Sequence, residues 1–147
     1  MKRIPLSLFT FLFLLSGLCA APTKTVWQIG EKNHSASELA LSPDKYKEFL
    51  ANDFGWEDRF YIIGLSSPQK DFPYVLPGPA DHWGGTSYTA GIRTHVLNIL
   101  FGMKEVPETD SWKLIIDLLD THHELPALFK ITINGKSWKY ALPKGSG

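Results

Sequence analysis

At 147 residues the chain has room for one domain with a core. Its 15 basic residues balance 15 acidic ones, and this argues against a nucleic-acid partner, which would favour a basic face. It equally argues against simple electrostatic capture of an acidic polymer by net charge.

The chain begins Met1-Lys2-Arg3, runs apolar from Leu6 to Leu18, and then turns small at Cys19-Ala20-Ala21. Basic, apolar and small, in that order, predict a secretion signal over residues 1–20, cut after Ala20. The apolar run falls short of the roughly 20 residues that span a bilayer as a helix. Cys19 is the only cysteine and would leave with the signal, so the mature chain has no disulfide. Losing Lys2 and Arg3 leaves 13 basic residues against 15 acidic ones. The expectation is a secreted or periplasmic protein with no membrane contact after cleavage.

Val26 to Ile29 is a short β-prone run stopped by Gly30. Ser42-Pro43 predicts a short helix, with Ser42 as N-cap and Pro43 at the first helical position. Tyr46, Phe49 and Leu50 follow at helical spacing, and Asn52-Asp53 with Gly55 end it. Arg59 to Ile63 reads as a strand closed by Gly64.

Residues 65–92 are rich in proline and glycine, yet they carry Phe72, Tyr74, Trp83 and Tyr88. A long loop with that many aromatics reads as an ordered excursion over a sheet rather than a disordered linker. Thr94 to Phe101 is a further strand, and so is Trp112 to Leu119, in which Trp112, Leu114, Ile116 and Leu118 fall in phase.

The last element is the most sharply defined. Phe129, Ile131 and Ile133 alternate with Lys130 and Thr132 before Asn134-Gly135, a strong hairpin turn signal. A two-residue turn there pairs Ile133 with Lys136, Thr132 with Ser137, Ile131 with Trp138, Lys130 with Lys139 and Phe129 with Tyr140. That register puts Ile131, Trp138, Phe129 and Tyr140 on one face. About six strands and at most one short helix predict an all-β fold, an antiparallel sandwich or jelly roll. A jelly roll usually has eight strands, and a last unpaired strand would leave an open edge. The expected domain, 24–147, therefore continues past Gly147; a smaller complete sandwich is the alternative.

Several motifs resemble a known family. They are Trp27-Gln28-Ile29-Gly30, Asn33-His34-Ser35-Ala36-Ser37-Glu38-Leu39, Asp58-Arg59-Phe60, Tyr61-Ile62-Ile63-Gly64-Leu65-Ser66 and Lys70-Asp71-Phe72. Together they resemble the carbohydrate-binding-like domain III of family 4 rhamnogalacturonan lyases and the related leading segment of bacterial polysaccharide lyase-like proteins. The resemblance implies a galactose-binding-like jelly roll attached to a secreted enzyme acting on pectin. Its partners would be a plant cell-wall polysaccharide and a catalytic lyase domain. Nothing matches the catalytic segment, so no catalytic residue is carried over. Leu39 stands where the family often has an aromatic, and the second half of the domain is not evident.

Sugars present apolar C–H faces and a hydroxyl rim, which proteins meet with aromatic planes and fixed polar groups. Trp56, Tyr74, Trp83 and Tyr88 sit among glycines, prolines and polar residues and are the candidate platform. The structural alternative for Trp83 is that it pins its own loop. Trp27, Trp112 and Trp138 lie in strands at core phase. Asp81, His82 and Arg93 are candidates for the polar rim, Arg93 by its fork geometry toward a carboxylate; an ion pair of Arg93 with Asp81 or Asp71 is the alternative. His82, His95, His122 and His123 lack zinc-ligand spacing. No cofactor is expected beyond a structural calcium drawing on Glu31, Glu38 and Asp58. Lys70, Arg93 and His95 have the chemistry of a lyase base or cation, but no spacing assembles them. The functional expectation is a non-catalytic carbohydrate-binding module of a pectin lyase. The alternatives are an accessory domain without its own sugar affinity and an extracellular protein-binding adhesion domain.

Overall fold

The computed structural model describes residues 24–54, 59–81, 83, 94–106, 108 and 111–147. Four strands and two short helices appear among them: a 3-10 helix Tyr46–Glu48, β1 Phe60–Ile62, α1 Pro68–Asp71, β2 Asn98–Leu100, β3 Leu128–Ile133 and β4 Lys136–Ala141. Strand outweighs helix, in keeping with the expected β class.

The hairpin has the register that its sequence predicts, Ile133↔Lys136 through Phe129↔Tyr140, with one further pair, Leu128↔Ala141. The turn explains it. Asn134 and Gly135 both take positive φ, 48° and 81°. Two consecutive left-handed residues make the tight turn whose twist matches that of the strands it joins. Thr132 and Ser137 face each other at 2.8 Å between hydroxyls. Trp138 and Tyr140 stay about half exposed, at 45% and 49%, so their apolar face is only partly covered.

The other pairing departs from the antiparallel expectation. β1 and β2 run parallel, with Phe60 opposite Asn98, Tyr61 opposite Ile99 and Ile62 opposite Leu100. The Ile63 N–H extends the ladder to the Leu100 carbonyl at 2.9 Å. A parallel pair needs a crossover of a dozen residues or more, and residues 63–97 supply one. Two runs read as strands carry no ladder. Val26 to Ile29 forms no ladder among the described residues, its Trp27 ring packing against Phe101 with centroids 5.5 Å apart. Trp112 to Leu119 is likewise unpaired, with Trp112 55% exposed. Alternation gives such a segment an apolar face but does not specify a backbone partner.

The expected helix after Ser42 contracts to one 3-10 turn. Leu41 and Asp53 take positive φ at either side of it, 66° and 63°. Glu48 and Phe49 donate to carbonyls three residues back, Lys45 and Tyr46, at 2.9 and 3.1 Å. Helix α1, absent from the expectation, is set by Ser67 in extended conformation, Pro68 at the first position and the Asp71 carboxylate, which accepts the Ser67 N–H at 2.8 Å.

Ala40, Phe49 and Phe54 form the buried cluster, with Leu41, Leu50 and Trp83 packed against it. Phe49 is fully buried. Its ring meets Phe54 at 5.8 Å and stands edge-on to His95 at 5.5 Å. The main chain of Ala40 stitches this cluster to α1. Its N–H donates to the carbonyls of Pro68 and Phe72, and its carbonyl accepts from the Tyr74 N–H. Nearby, Tyr61 is buried against the edge of Phe72.

Candidate functional site

The turn at Tyr46 and the segment after α1 bring three aromatic side chains to one region. Tyr46 stands edge-on to Trp83 at 5.3 Å, and Trp83 in turn meets Phe49 edge-on at 5.8 Å. Trp83 is half-buried, with one side on the core. Tyr74 is half-buried too, and its phenol is pushed up from the ordinary tyrosine range by burial first, then by the charges of Asp44 and Tyr46. Tyr46 thus packs on Trp83 and bears electrostatically on Tyr74. Sequence reading assigned Tyr46 to a helix face; the signal for a surface role was its place between Lys45 and Lys47. The Lys47 ammonium lies 5.8 Å from the Tyr46 ring centroid.

Asp81 closes its own turn. Its carboxylate accepts the Gly78 N–H at 2.7 Å, and its own N–H donates to the Gly78 carbonyl at 3.1 Å. Asp71 pairs with Arg59 at 3.4 Å. Trp56, His82, Tyr88 and Arg93 lie outside the described residues, as do Asp58 and the expected signal over residues 1–20. Of the expected sugar contacts that are described, Trp83 packs against Tyr46 and Phe49, Tyr74 is half-buried, and Asp81 is spent on a local turn.

A groove of about 450 Å³ opens beside this cluster, over Ala40 and Phe54. Ser37, Ser42, Lys45, Glu48 and Asn52 line it from one stretch of chain, and Gln69 and Lys70 from α1. Arg59 ties the two walls. Its guanidinium lies 4.2 Å from the Phe54 ring centroid, donates to the Asn52 carbonyl at 2.6 Å, and reaches the Lys70 carbonyl at 3.5 Å. Sequence reading missed this groove, because its polar residues are ordinary and two segments must meet to form it.

A second, smaller cavity lies where residues 118–121 meet Pro143, Lys144 and Gly145. Asp120 holds the chain end there, accepting the Ser146 hydroxyl at 2.6 Å and the Ser146 N–H at 2.8 Å. These bonds, with the Thr121 N–H, hold its carboxyl below the usual carboxylate range. Thr121 donates its hydroxyl to the Pro143 carbonyl at 2.6 Å.

Among the described residues no group of three or more His, Cys, Asp or Glu gathers as metal ligands. Glu38 spends one oxygen on the Glu31 N–H at 2.7 Å. His122 and His123 stack at 4.8 Å, and His122 Nδ1 accepts the N–H groups of Glu124 and Leu125. Lys70 lines the groove whereas the His95 ring packs on Phe49, so these two chemically able groups serve different surroundings. No described helix is long and apolar enough to cross a membrane.

Comparison with curated proteins and with solved structures gave no significant match. A family model does match, over residues 25–146, and it covers both the aromatic cluster and the groove. With nearly the whole chain covered, the protein belongs to the CBM-like domain III of polysaccharide lyase family 4.

Proposed function

We propose that this chain is a non-catalytic carbohydrate-binding module of an exported polysaccharide lyase, with rhamnogalacturonan in plant cell-wall pectin as its ligand. Membership of the CBM-like family over residues 25–146 is the observation that carries the reading. The Tyr46–Trp83 pair and the half-buried Tyr74 support it, because partly exposed aromatic rings near polar groups suit a sugar's apolar face and hydroxyl rim. Trp56, Tyr88 and Arg93 would extend that surface. A galactose-binding-like jelly roll would carry it, and the basic-apolar-small start of the chain would direct it out of the cytoplasm. The lyase chemistry would reside in another domain.

A second reading has its own support. Trp83 packs on the core, and the run from Trp112 to Leu119 is apolar and exposed. These features suit an accessory domain that leans on a lyase domain without holding sugar itself.

Affinity electrophoresis through gels with and without rhamnogalacturonan separates the two. The module reading expects retardation only with the polymer, and loss of retardation in Tyr74→Ala with an unchanged circular dichroism spectrum. Equal mobility in both gels overturns it, and raised activity on mixing with a family 4 lyase catalytic domain would then establish the accessory role.

A further inference from the structure

We infer that the run from Trp112 to Leu119 is a self-complementary edge, which pairs antiparallel with the same run of a second copy of this chain, centred on Ile115. The inference does not depend on sugar binding and uses none of the groove or cluster residues.

The run has the composition of a strand and no ladder of its own. Among the described residues no backbone N–H or carbonyl from Trp112 to Leu119 has a backbone partner. Every residue in it is exposed. Trp112, Leu114, Ile116 and Leu118 alternate along one face and are 55%, 43%, 43% and 47% exposed. Ile115 and Leu119, on the other face, are 63% and 54% exposed. A row of open N–H and C=O groups flanked by apolar side chains is a template for another strand.

Charge chooses the partner and the register. Lys113 and Asp117 stand symmetrically about Ile115 on the face that Ile115 shares. In strand geometry they are ~13 Å apart, too far to pair with each other. Neither has an ion-pair partner among the described residues. Antiparallel pairing of two copies about Ile115 sets Lys113 opposite Asp117 twice, once at each end. The same register sets Trp112 opposite Leu118 and Leu114 opposite Ile116, apolar against apolar. A slip of one residue would oppose the apolar face of one copy to the mixed face of the other. A slip of two would keep the faces but set Lys113 against Ile115 or Leu119. Parallel pairing would set Lys113 against Lys113 and Asp117 against Asp117, which is repulsive. A lone edge lysine discourages pairing, but Asp117 at the symmetric position turns it into a selector of this one. The contact is isologous, each copy giving the same surface, as a two-fold dimer requires.

The magnitude sets the kind of dimer. The ladder would add roughly six to eight backbone hydrogen bonds. The half-exposed side chains offer on the order of 400 Å² of apolar surface per copy. A pair then buries less than the roughly 1,200 Å² of a standard interface, so the dimer is reversible, with a dissociation constant on the order of 10–100 µM.

Sedimentation velocity on the full chain, from about 1 to 500 µM, tests this. Wild type should pass from monomer to dimer. Asp117→Lys and Lys113→Asp should each weaken dimerisation about tenfold, because each turns two attractive pairs into two repulsive ones. Mixing these two variants should restore the dimer, since each then faces its opposite charge; a change that merely disturbed folding would not be rescued by mixing. In a Cys19→Ser background, Ile115→Cys should cross-link to itself on oxidation, because the two-fold axis brings the two copies within disulfide range. Leu119→Cys, displaced along the ladder from its counterpart, should not. A monomer at every concentration, open-ended growth beyond the dimer, or a mixture no more dimeric than its components overturns the inference.

Discussion

Arg59→Ala removes the residue that fastens the groove, and its cost can be worked from four contacts. The guanidinium sits 4.2 Å from the Phe54 ring centroid, a cation–π contact worth about 1 kcal/mol at a partly exposed site. Its 2.6 Å bond to the Asn52 carbonyl is charge-assisted and, discounted for partial exposure, contributes about 1 kcal/mol. The pair with Asp71 at 3.4 Å joins side chains 26% and 32% exposed, so screening limits it to about 0.5 kcal/mol. The 3.5 Å approach to the Lys70 carbonyl is at the limit of hydrogen bonding and adds little. Arg59→Ala should therefore destabilise by about 2–3 kcal/mol. Lys at this position keeps a charge but loses the planar fork, so Arg59→Lys should recover about half. Urea unfolding followed by tryptophan fluorescence reads both values. A double-mutant cycle with Asp71→Ala should return a coupling of about 0.5 kcal/mol that salt removes, leaving the Phe54 and Asn52 contributions intact. Arg59→Ala within about 0.5 kcal/mol of wild type would refute the reasoning, since that is the range of a surface change touching nothing.

Phe49 is the fully buried side chain of the cluster, so Phe49→Ala should cost about 3–5 kcal/mol and is measurable as a lowered urea midpoint. Gly135 sits at φ 81° in the hairpin turn; Gly135→Ala should cost about 1 kcal/mol or more and weaken hydrogen-exchange protection along β3 and β4. The Asp120 carboxyl is held below its ordinary value in the folded chain, so its contribution is present above the unfolded pKa and is lost as pH falls through the folded one. Ser146 and Gly147 amide signals should accordingly shift toward free-chain values in that acid window, and Asp120→Asn should show the released state already at neutral pH.

The hairpin was legible because all its information is local: the alternation, the Asn134-Gly135 turn and the pairing lie within one short stretch. The segment of β1 was legible as extended and apolar, but its partner and direction were not. A parallel pairing across residues 63–97 depends on contacts that no local pattern encodes. Trp112 to Leu119 shows the converse, a strong alternation with no ladder. Helix α1 was missed although Ser67-Pro68 and Asp71 announce it, because the surrounding prolines and glycines dominated the reading. At the site, loop aromatics were found, but periodicity does not distinguish a ring that faces sugar from one that leans on Phe49, as Trp83 does. The groove joins Lys45 to Lys70 through an arginine that sequence places in a strand, so only the folded chain brings it together.

Apolar surface is distributed unevenly among the described residues. Ala40, Phe49, Phe54 and Tyr61 are the buried hydrophobics among the described residues, and they gather around the groove and α1. Leu114, Ile116, Leu118, Ile133, Trp138 and Tyr140 remain 43–49% exposed. A two-stranded hairpin is marginal by itself in water, and it gains stability by covering its apolar face. Each of these side chains would gain on the order of 1 kcal/mol by losing its remaining exposure. The polar groove is lined within residues 37–70, whereas these half-exposed apolar side chains lie from Leu114 onward. A half-exposed side chain forfeits less on truncation than the buried Phe49, so Trp138→Ser should lower the urea midpoint by less than Phe49→Ala does.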